Sequence, residues 1–336
     1  MRKVSLRDIA AQAGVSPTTV SFVINGKARE MRVSRDVIQR IEALIKKLNY
    51  QPNSMARGLR TGKTGTIGLM VEDISNHFFA TLARVIEDEA DYFGYDVVYC
   101  STENKEARAQ KLLETLTHRQ VDGYILTPTP ELDVGVQKLL QGKKSLVLMD
   151  RYFPSLNTNF VGVDNLLGAS MAASHLLAQG YQKIALVTTS SSQIQMQERV
   201  RGFTNTVNES NIALIKQVHL RIPFEKIKEN AVGQIIRFLI KHKPDAVFFT
   251  TNYLGICGLE AIKSLGWAIP SQIGVVSFDD HIVFRLYEPA ITCVAQPIME
   301  IGKYAVKALI QDIQKKDPDV LARYVLKPQL IVRKSC

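Results

Sequence analysis

The chain has 336 residues, of which 46% are hydrophobic and 22% charged, and this composition is typical of a globular protein of about two or three domains. It contains no apolar run of about 18 residues and no continuous apolar N-terminal segment, which excludes a transmembrane helix and a secretory signal. The four cysteines are far apart, which argues against a zinc cluster and favours a cytoplasmic protein with reduced thiols. We expect neither a metal nor a cofactor.

The net charge is unevenly distributed along the chain. Residues 1–64 hold 13 of the 42 basic residues and only four of the 32 acidic ones, so they account for nine of the ten net positive charges. Concentrated positive charge is attracted to a phosphate backbone because binding releases counterions. The distribution therefore favours a small nucleic-acid-binding module before a nearly neutral body, with a merely solvated basic face as the alternative.

The stretch "SLRDIAAQAGVSPTTVSFVING" predicts two short helices joined by a tight turn. Ser5 and Asp8 have the spacing of a capping pair at the start of the first helix, and Gly14 suits the left-handed conformation that ends it. Ser16 then caps the second helix, with Pro17 in its first position. This is the helix-turn-helix pattern, and a third amphipathic helix follows in "RDVIQRIEALIKKL".

The second helix of this pattern is the one that enters the major groove of DNA. Threonine and asparagine can hydrogen-bond to base edges, and a threonine methyl or a phenylalanine can contact the thymine methyl. A serine at a helix N-terminus suits a phosphate. Phe22 is equally compatible with a partly buried packing role. The predicted DNA-facing residues are Ser16, Pro17, Thr18, Ser21, Phe22 and Asn25.

The stretch "GLRTGKT", residues 58–64, looks like the phosphate-binding loop of an NTPase. That loop has four residues between its glycines and follows a buried strand, whereas here three residues separate the glycines and the first convincing strand comes afterwards. The sequence also has no nucleophile elbow, metal cluster or GxGxxG loop. We therefore do not expect an enzyme.

From residue 66 onward, short apolar strands alternate with helices. Such strands predict parallel sheets that are covered on both faces. Eight strands fit either a (β/α)8 barrel or two open sheets. They are "TIGLMV", "YDVVYCS", "DGYILTP", "SLVLMD", "IALVTTS", "AVFFTTN", "IGVVSFD" and "ITCVAQP".

Polar side chains follow several of these strands, at the carboxyl ends where open α/β sheets bind ligands. Carboxylates and amides can accept hydrogen bonds from vicinal hydroxyls, and an aromatic ring can pack on a sugar face, so sugar binding is expected. Asn252 and Asp280 are predicted to cap helices instead. Asp150 and Asp279 could be read as a glycosidase pair, although nothing else in the sequence requires one.

These motifs resemble the LacI/GalR family of transcription regulators. The resemblance rests on "SLRDIAAQAGVSPTTVSFVINGK", "RVSRDVIQRIEALIKKLNYQPNSMARGLRTGKTGTIGL" and "DISNHFFATLARVIE", and it extends to "LIVRKSC". It implies an all-α helix-turn-helix DNA-binding domain and an α/β core of the periplasmic-binding-protein-like type I, built from two Rossmann-like subdomains. The implied limits are 1–49 for the DNA-binding domain, 50–64 for a hinge helix and linker, and 65–336 for the core, with an N-subdomain of about 65–163 and 296–327 and a C-subdomain of about 164–295 and 328–336.

The resemblance also assigns the hinge. In this family a short helix orders on operator DNA and inserts a leucine into the minor groove, which bends the duplex. Leu59 matches that leucine, and the matching hinge residues are Asn53, Ala56, Arg57 and Leu59. A homodimer would read a pseudo-palindromic operator as an allosteric repressor of carbohydrate metabolism genes, without a membrane partner.

The resemblance places a sugar or sugar-phosphate effector between the two subdomains. Arginine binds phosphate bidentately, so two arginines favour a phosphorylated sugar; the alternative is a neutral sugar, with Arg151 paired with Asp73 or Asp279. The stretches "TTVSFVINGKAREMRVS" and "NYQPNSMARGLRTGKT" look most like the fructose repressor branch. The expected effector-binding residues are Asp73, Phe79, Asp150, Arg151, Arg199, Thr251 and Asp279.

Overall fold

The computed structural model describes residues 4–50, 63–210, 216–314 and 320–336. The chain divides into two compact units, Met1–Thr64 and Gly65–Cys336. No helix in these described ranges has both the length and the apolar character needed to cross a membrane.

The first unit contains three helices, α1 (Leu6–Ala13), α2 (Pro17–Ile24) and α3 (Arg35–Lys47). Ser5 and Asp8 form the predicted capping box of α1, and Gly14 ends that helix with a left-handed φ of 65°. Ser16 accepts a hydrogen bond from the Thr19 amide at the start of α2. The three helices enclose a small core around Ile9, Val20 and Ile41, which confirms the predicted helix-turn-helix pattern.

The second unit alternates strands and helices along the chain. Its strands are β1 (Thr66–Val71), β2 (Asp96–Ser101), β3 (Gly123–Leu126), β4 (Ser145–Met149), β5 (Asn159–Val163), β6 (Lys183–Ser190), β7 (Lys216–Pro223), β8 (Ala246–Phe249), β9 (Gly274–Phe278), β10 (Thr292–Ala295), β11 (Arg323–Leu326) and β12 (Gln329–Ile331). Its helices are α4 (His77–Tyr92), α5 (Glu106–His118), α6 (Asp133–Gln141), α7 (Asn165–Ala178), α8 (Ile194–Glu209), α9 (Ile227–His242), α10 (Asn252–Ser264), α11 (Ile282–Leu286) and α12 (Ile298–Gln314).

The strands form two six-stranded sheets, with orders β11-β5-β4-β3-β1-β2 and β12-β10-β9-β8-β6-β7. Pairing is parallel except between β10 and β12. The two sheets exclude the barrel alternative and confirm two doubly wound layers. The chain passes from the first sheet to the second after β5, returns after β10, and crosses again between β11 and β12.

All eight predicted strands are present, and four further strands were missed. β5 has the sequence "NFVGV" and lies in the first sheet beside β4. β7 is an edge strand of the second sheet. β11 is a short strand at one edge of the first sheet. β12 is a short strand at the edge of the second sheet opposite β7.

Candidate functional site

A small polar cavity lies between the carboxyl ends of the two sheets, and we call it the inner cavity. Its volume is about 40 Å³. Five of the predicted effector residues line it together, namely Phe79, Asp150, Arg199, Thr251 and Asp279. Both sheets and the helices α4 and α8 contribute to this lining. The parallel topology therefore brings together side chains that are up to 200 residues apart in the sequence.

Asp150 and Asp279 occupy equivalent positions in the two sheets. Asp150 follows β4 with a φ of 69°, and Asp279 follows β9 with a φ of 67°. Each amide donates a hydrogen bond to the neighbouring strand, to the Val161 carbonyl at 3.0 Å and to the Val294 carbonyl at 2.9 Å. A left-handed conformation is uncommon outside glycine but is tolerated by aspartate. At both strand ends the carboxylate faces the inner cavity.

Arg199 is held rigidly at the inner cavity by four partners. Its Nε donates to Asn165 Oδ1 at 2.8 Å, and its Nη1 donates to the Thr250 carbonyl at 2.7 Å. The guanidinium lies 3.6 Å from the centre of the Phe278 ring and 4.0 Å from Asp279 Oδ2. Because the hydrogen bonds and the ring fix its plane, Arg199 presents its charge to the cavity without a large ordering cost.

Arg151 is placed differently from the prediction. It is not among the residues that line the inner cavity; it is buried behind the cavity, where its Nη2 donates to Glu72 Oε2 at 2.8 Å. The predicted pairing of Arg151 with Asp73 or Asp279 was therefore wrong. Arg151 Nε also lies 3.9 Å from Asp150 Oδ2, so its charge still acts on that carboxylate.

Burial changes the acidity of Asp150. Loss of hydration raises the pKa of this carboxyl from 3.8 to about 6, against the opposing effect of the Arg151 and Arg199 guanidiniums. Glu72 and Asp279 raise the pKa further because they are nearby negative charges. Asp150 therefore changes its protonation state near pH 6.

A second, larger cavity of about 530 Å³ adjoins the first, and we call it the outer cavity. Asp73 lines this outer cavity and not the inner one, where it was expected. The two cavities share Asn76 and Asn252, whose side-chain amides are hydrogen-bonded to each other at 3.0 and 3.2 Å. This amide pair connects the first sheet's layer to the second, as does the bond from Gln193 Nε2 to Asn104 Oδ1 at 3.0 Å.

Three glutamines in the inner cavity were missed by sequence reasoning. Gln193, Gln195 and Gln296 line it, and Gln296 donates from Nε2 to Asp279 Oδ1 at 2.6 Å. Gln193 and Gln195 lie just after β6, and Gln296 lies just after β10. Their position after a strand was the available signal, since glutamine carries no characteristic spacing of its own.

The predicted helix-capping roles of Asn252 and Asp280 were wrong. Thr251 caps α10, and Asn252 is the first residue of that helix. His281 caps α11, while Asp280 binds both terminal nitrogens of Arg333, at 3.0 and 2.8 Å. The Arg333 interaction lowers the pKa of Asp280 below its usual value, although burial opposes it.

The predicted DNA-facing residues of the first unit lie on or beside α2. Ser16, Pro17, Thr18 and Asn25 are exposed, and Ser21 and Phe22 are half-buried. Asn25 Nδ2 donates to the Ser21 carbonyl at 2.7 Å and to Ser21 Oγ at 3.2 Å. The predicted hinge residues Asn53, Ala56, Arg57 and Leu59 lie outside the described residues.

A basic helix-turn-helix unit together with a two-sheet core that holds a polar cavity defines a DNA-binding regulator controlled by a small ligand. Comparison with known proteins identifies the family. Residues 5–53 match the bacterial regulatory proteins of the lacI family, and residues 173–336 match a periplasmic binding protein-like domain. The chain is 34% identical to a ribose operon repressor of Halalkalibacterium halodurans, over 98% of this chain and 96% of that protein. The chain belongs to the LacI family.

Solved structures agree with this assignment. A lac repressor bound to ONPG in the repressed state has a TM-score of 0.86 and 25% identity, with complete coverage of both chains. A LacI family regulator from Enterococcus faecium with bound ribose has a TM-score of 0.72 and 27% identity, over 80% of this chain and 98% of that one. The chain is therefore a DNA-binding transcriptional regulator and not an enzyme.

The comparisons support the predicted family without resolving the predicted branch. The similar curated proteins include ribose operon repressors and PurR repressors of Haemophilus influenzae, at 31% and 29% identity. They support the family as a whole and not specifically the fructose repressor branch. That finer placement remains a prediction from the sequence alone.

Proposed function

We propose that this chain represses genes of carbohydrate metabolism and is controlled by a neutral sugar that binds in the inner cavity. The observation that carries the proposal is the meeting of Asp150, Arg199, Thr251 and Asp279 with the Phe79 ring in one buried space. Two carboxylates and a fixed guanidinium can orient vicinal hydroxyls, and an aromatic face can cover the apolar side of a sugar ring.

The charge of the inner cavity supports a neutral sugar over a sugar phosphate. Glu72 and Arg151 neutralise each other, and the charge of Arg199 is offset by that of Asp279 beside it. When the pH is above the pKa of Asp150, this carboxylate therefore gives the cavity a net negative charge. A phosphate would add negative charge to a site whose described lining residues include one cation, Arg199. Arg151 and Asp73 are therefore not part of the proposed contact set.

Ribose is the first sugar to test. Ribose operon repressors are among the similar curated proteins, and the Enterococcus faecium relative was solved with ribose. Both observations concern those proteins. On their basis we propose a pentose effector for this chain.

A thermal-shift series on the full chain tests the effector. Free ribose, other neutral pentoses and hexoses, and the corresponding phosphates are compared. A ligand at 100 times its dissociation constant adds about 2.7 kcal/mol, which raises the Tm of a domain of this size by several degrees. We expect the shift with a free sugar, and Asp279→Asn should remove most of it.

The matched control is Arg237→Lys, an exposed position on α9, which should leave the shift intact. A shift confined to phosphorylated sugars would contradict the neutral site. Equal shifts in Asp279→Asn and in the unmodified chain would place the ligand elsewhere.

DNA binding is proposed to use α2 in the major groove, with Ser16, Pro17, Thr18, Ser21, Phe22 and Asn25 at the interface and the hinge at the operator centre.

Two copies would pair through α4 and α11, in keeping with Ile282 and Leu286, whose side chains are 44% and 77% exposed on α11. The proposed site of action is the cytoplasm, where the DNA is.

Selection of bound sequences from a random DNA pool tests this arrangement. The expected product is an inverted repeat, because a two-fold symmetric dimer reads two half-sites. Leu59→Ala should weaken binding to the selected sequence much more than binding to random DNA, since only the bent operator uses the wedge. A selected sequence without two-fold symmetry would contradict the dimer.

A further inference from the structure

A separate groove of about 320 Å³ lies beside α8, at the carboxyl ends of β6 and β7, and we call it the α8 groove. Gln197, Arg201 and Asn205 face it from α8 at a spacing of four residues, which places them on one side of the helix. Arg221 on β7 and Ser191 after β6 complete its polar wall. Among the residues that the structure describes, only Met196 lines both this groove and the inner cavity.

The α8 groove is positively charged. Arg201 and Arg221 come from different elements, both are exposed, and neither has a hydrogen bond or ion pair within the described residues. The part of the groove lining that the structure describes contains no carboxylate. Glu198 lies three residues before Arg201 on α8, so its carboxylate is near one edge of the groove, where it interacts with Asn165 and with the charge of Arg201.

His219 reports the potential at this surface. It lies two residues before Arg221 on β7, and its Nε2 is 3.0 Å from Gln217 Oε1. Burial lowers the pKa of His219, and the neighbouring positive charge of Arg221 lowers it further. An anion bound near Arg221 would act in the opposite direction.

We propose that the α8 groove binds a small molecule bearing a phosphate group, with Arg201 and Arg221 as its two cationic contacts. Two guanidiniums from separate elements can each form paired hydrogen bonds to phosphate oxygens, and the amides of Gln197 and Asn205 can donate to the remaining polar atoms. The groove is distinct from the inner cavity, and it shares α8 with Arg199, so an anion bound there would act on the helix that orients the effector arginine.

The test follows the His219 ring by NMR in the full-length chain during titration with inorganic phosphate or glucose 6-phosphate. Glucose and sodium chloride at matched ionic strength are the control solutes. We expect both phosphates to raise the pKa of His219 in a saturable way, and glucose and chloride to leave it unchanged. Arg201→Gln and Arg221→Gln should each weaken phosphate binding about tenfold or more, because each removes a charged hydrogen-bonding partner.

Arg237→Gln is the matched control for loss of an exposed arginine, and it should leave the phosphate affinity unchanged. Asp279→Asn, in the inner cavity, should also leave it unchanged, which separates this site from the proposed effector site. An unaltered thermal unfolding temperature in the arginine variants shows that they remain folded. Equal phosphate affinity in Arg201→Gln, Arg221→Gln and the unmodified chain, or an equal response to chloride, would overturn the proposal.

Discussion

Replacement of Asp150 by asparagine should remove a pH dependence from the stability of the core unit. The pKa of this carboxyl is raised from 3.8 to about 6, so the folded chain holds the proton more tightly than the unfolded chain. Between these two values the unfolded state has lost the proton while the folded state retains it. The contribution of Asp150 to the free energy of unfolding must therefore fall as pH rises from about 4 to about 6, and level off above that range.

The size of the effect follows from the shift. A difference of one pKa unit corresponds to about 1.4 kcal/mol, so a shift from 3.8 to about 6 amounts to about 3 kcal/mol. Asparagine resembles the neutral carboxyl and cannot ionise. The variant should match the unmodified chain near pH 4 and exceed its stability by up to about 3 kcal/mol at pH 7.

Urea unfolding from pH 4 to pH 7, followed through Trp267, measures this difference. The sequence has one tryptophan, and it packs against the core of the second sheet, so its fluorescence reports the core unit. Glu131→Gln, at an exposed carboxylate, is the control and should show no such trend. A stability difference between Asp150→Asn and the unmodified chain that does not change with pH would refute the buried, proton-retaining carboxyl.

Three further predictions concern packing, capping and the contact between the sheets. Gly202→Ala should lower the Tm by several degrees, because a Cβ there would clash with the Leu166 carbonyl oxygen; Asn205→Ala on the exposed side of α8 should have little effect. Ser5→Ala should speed hydrogen exchange of the α1 amides about fivefold, since loss of an N-cap costs about 1 kcal/mol. Alanine variants of Asn76 and Asn252 should show a coupling of about 1 kcal/mol in a double-mutant cycle of urea unfolding, and additive effects would mean that the amide pair does not form in solution.

Local signals made the helix-turn-helix unit predictable. Its helix boundaries depend on residues three or four positions apart, such as the Ser5–Asp8 pair, and on the left-handed Gly14. The buried strands of the core were equally visible, because strands covered on both faces are continuous apolar runs. The strand β7, "KQVHLRIP", was missed because an edge strand alternates polar and apolar residues and lacks such a run.

The inner cavity was only partly predictable, because its contacts depend on which strand ends meet. The position of Asp150 and Asp279 after strands was enough to place them in one cavity. The partner of Arg151 was not decidable, since Glu72, Asp73 and Asp279 all follow strands and differ only in where their side chains point. The structure pairs Arg151 with Glu72, and this pairing changes the expected effector from a phosphate to a neutral sugar.

The geometry of Asn76 connects the inner cavity to the proposed dimer surface. A volume of about 40 Å³ is far below the ~300 Å³ of the smaller ligand pockets. We therefore expect a sugar to enter when the sheets separate and the Asn76–Asn252 pair breaks. Asn76 Oδ1 also accepts the hydrogen bond of the Phe78 amide at 3.0 Å, which caps α4. Because one oxygen serves both contacts, opening the cavity alters the start of α4, the helix proposed to face the second copy. A ligand shifts such an equilibrium only by its difference in affinity for the two states, so the amide pair sets part of the free energy that the effector must supply.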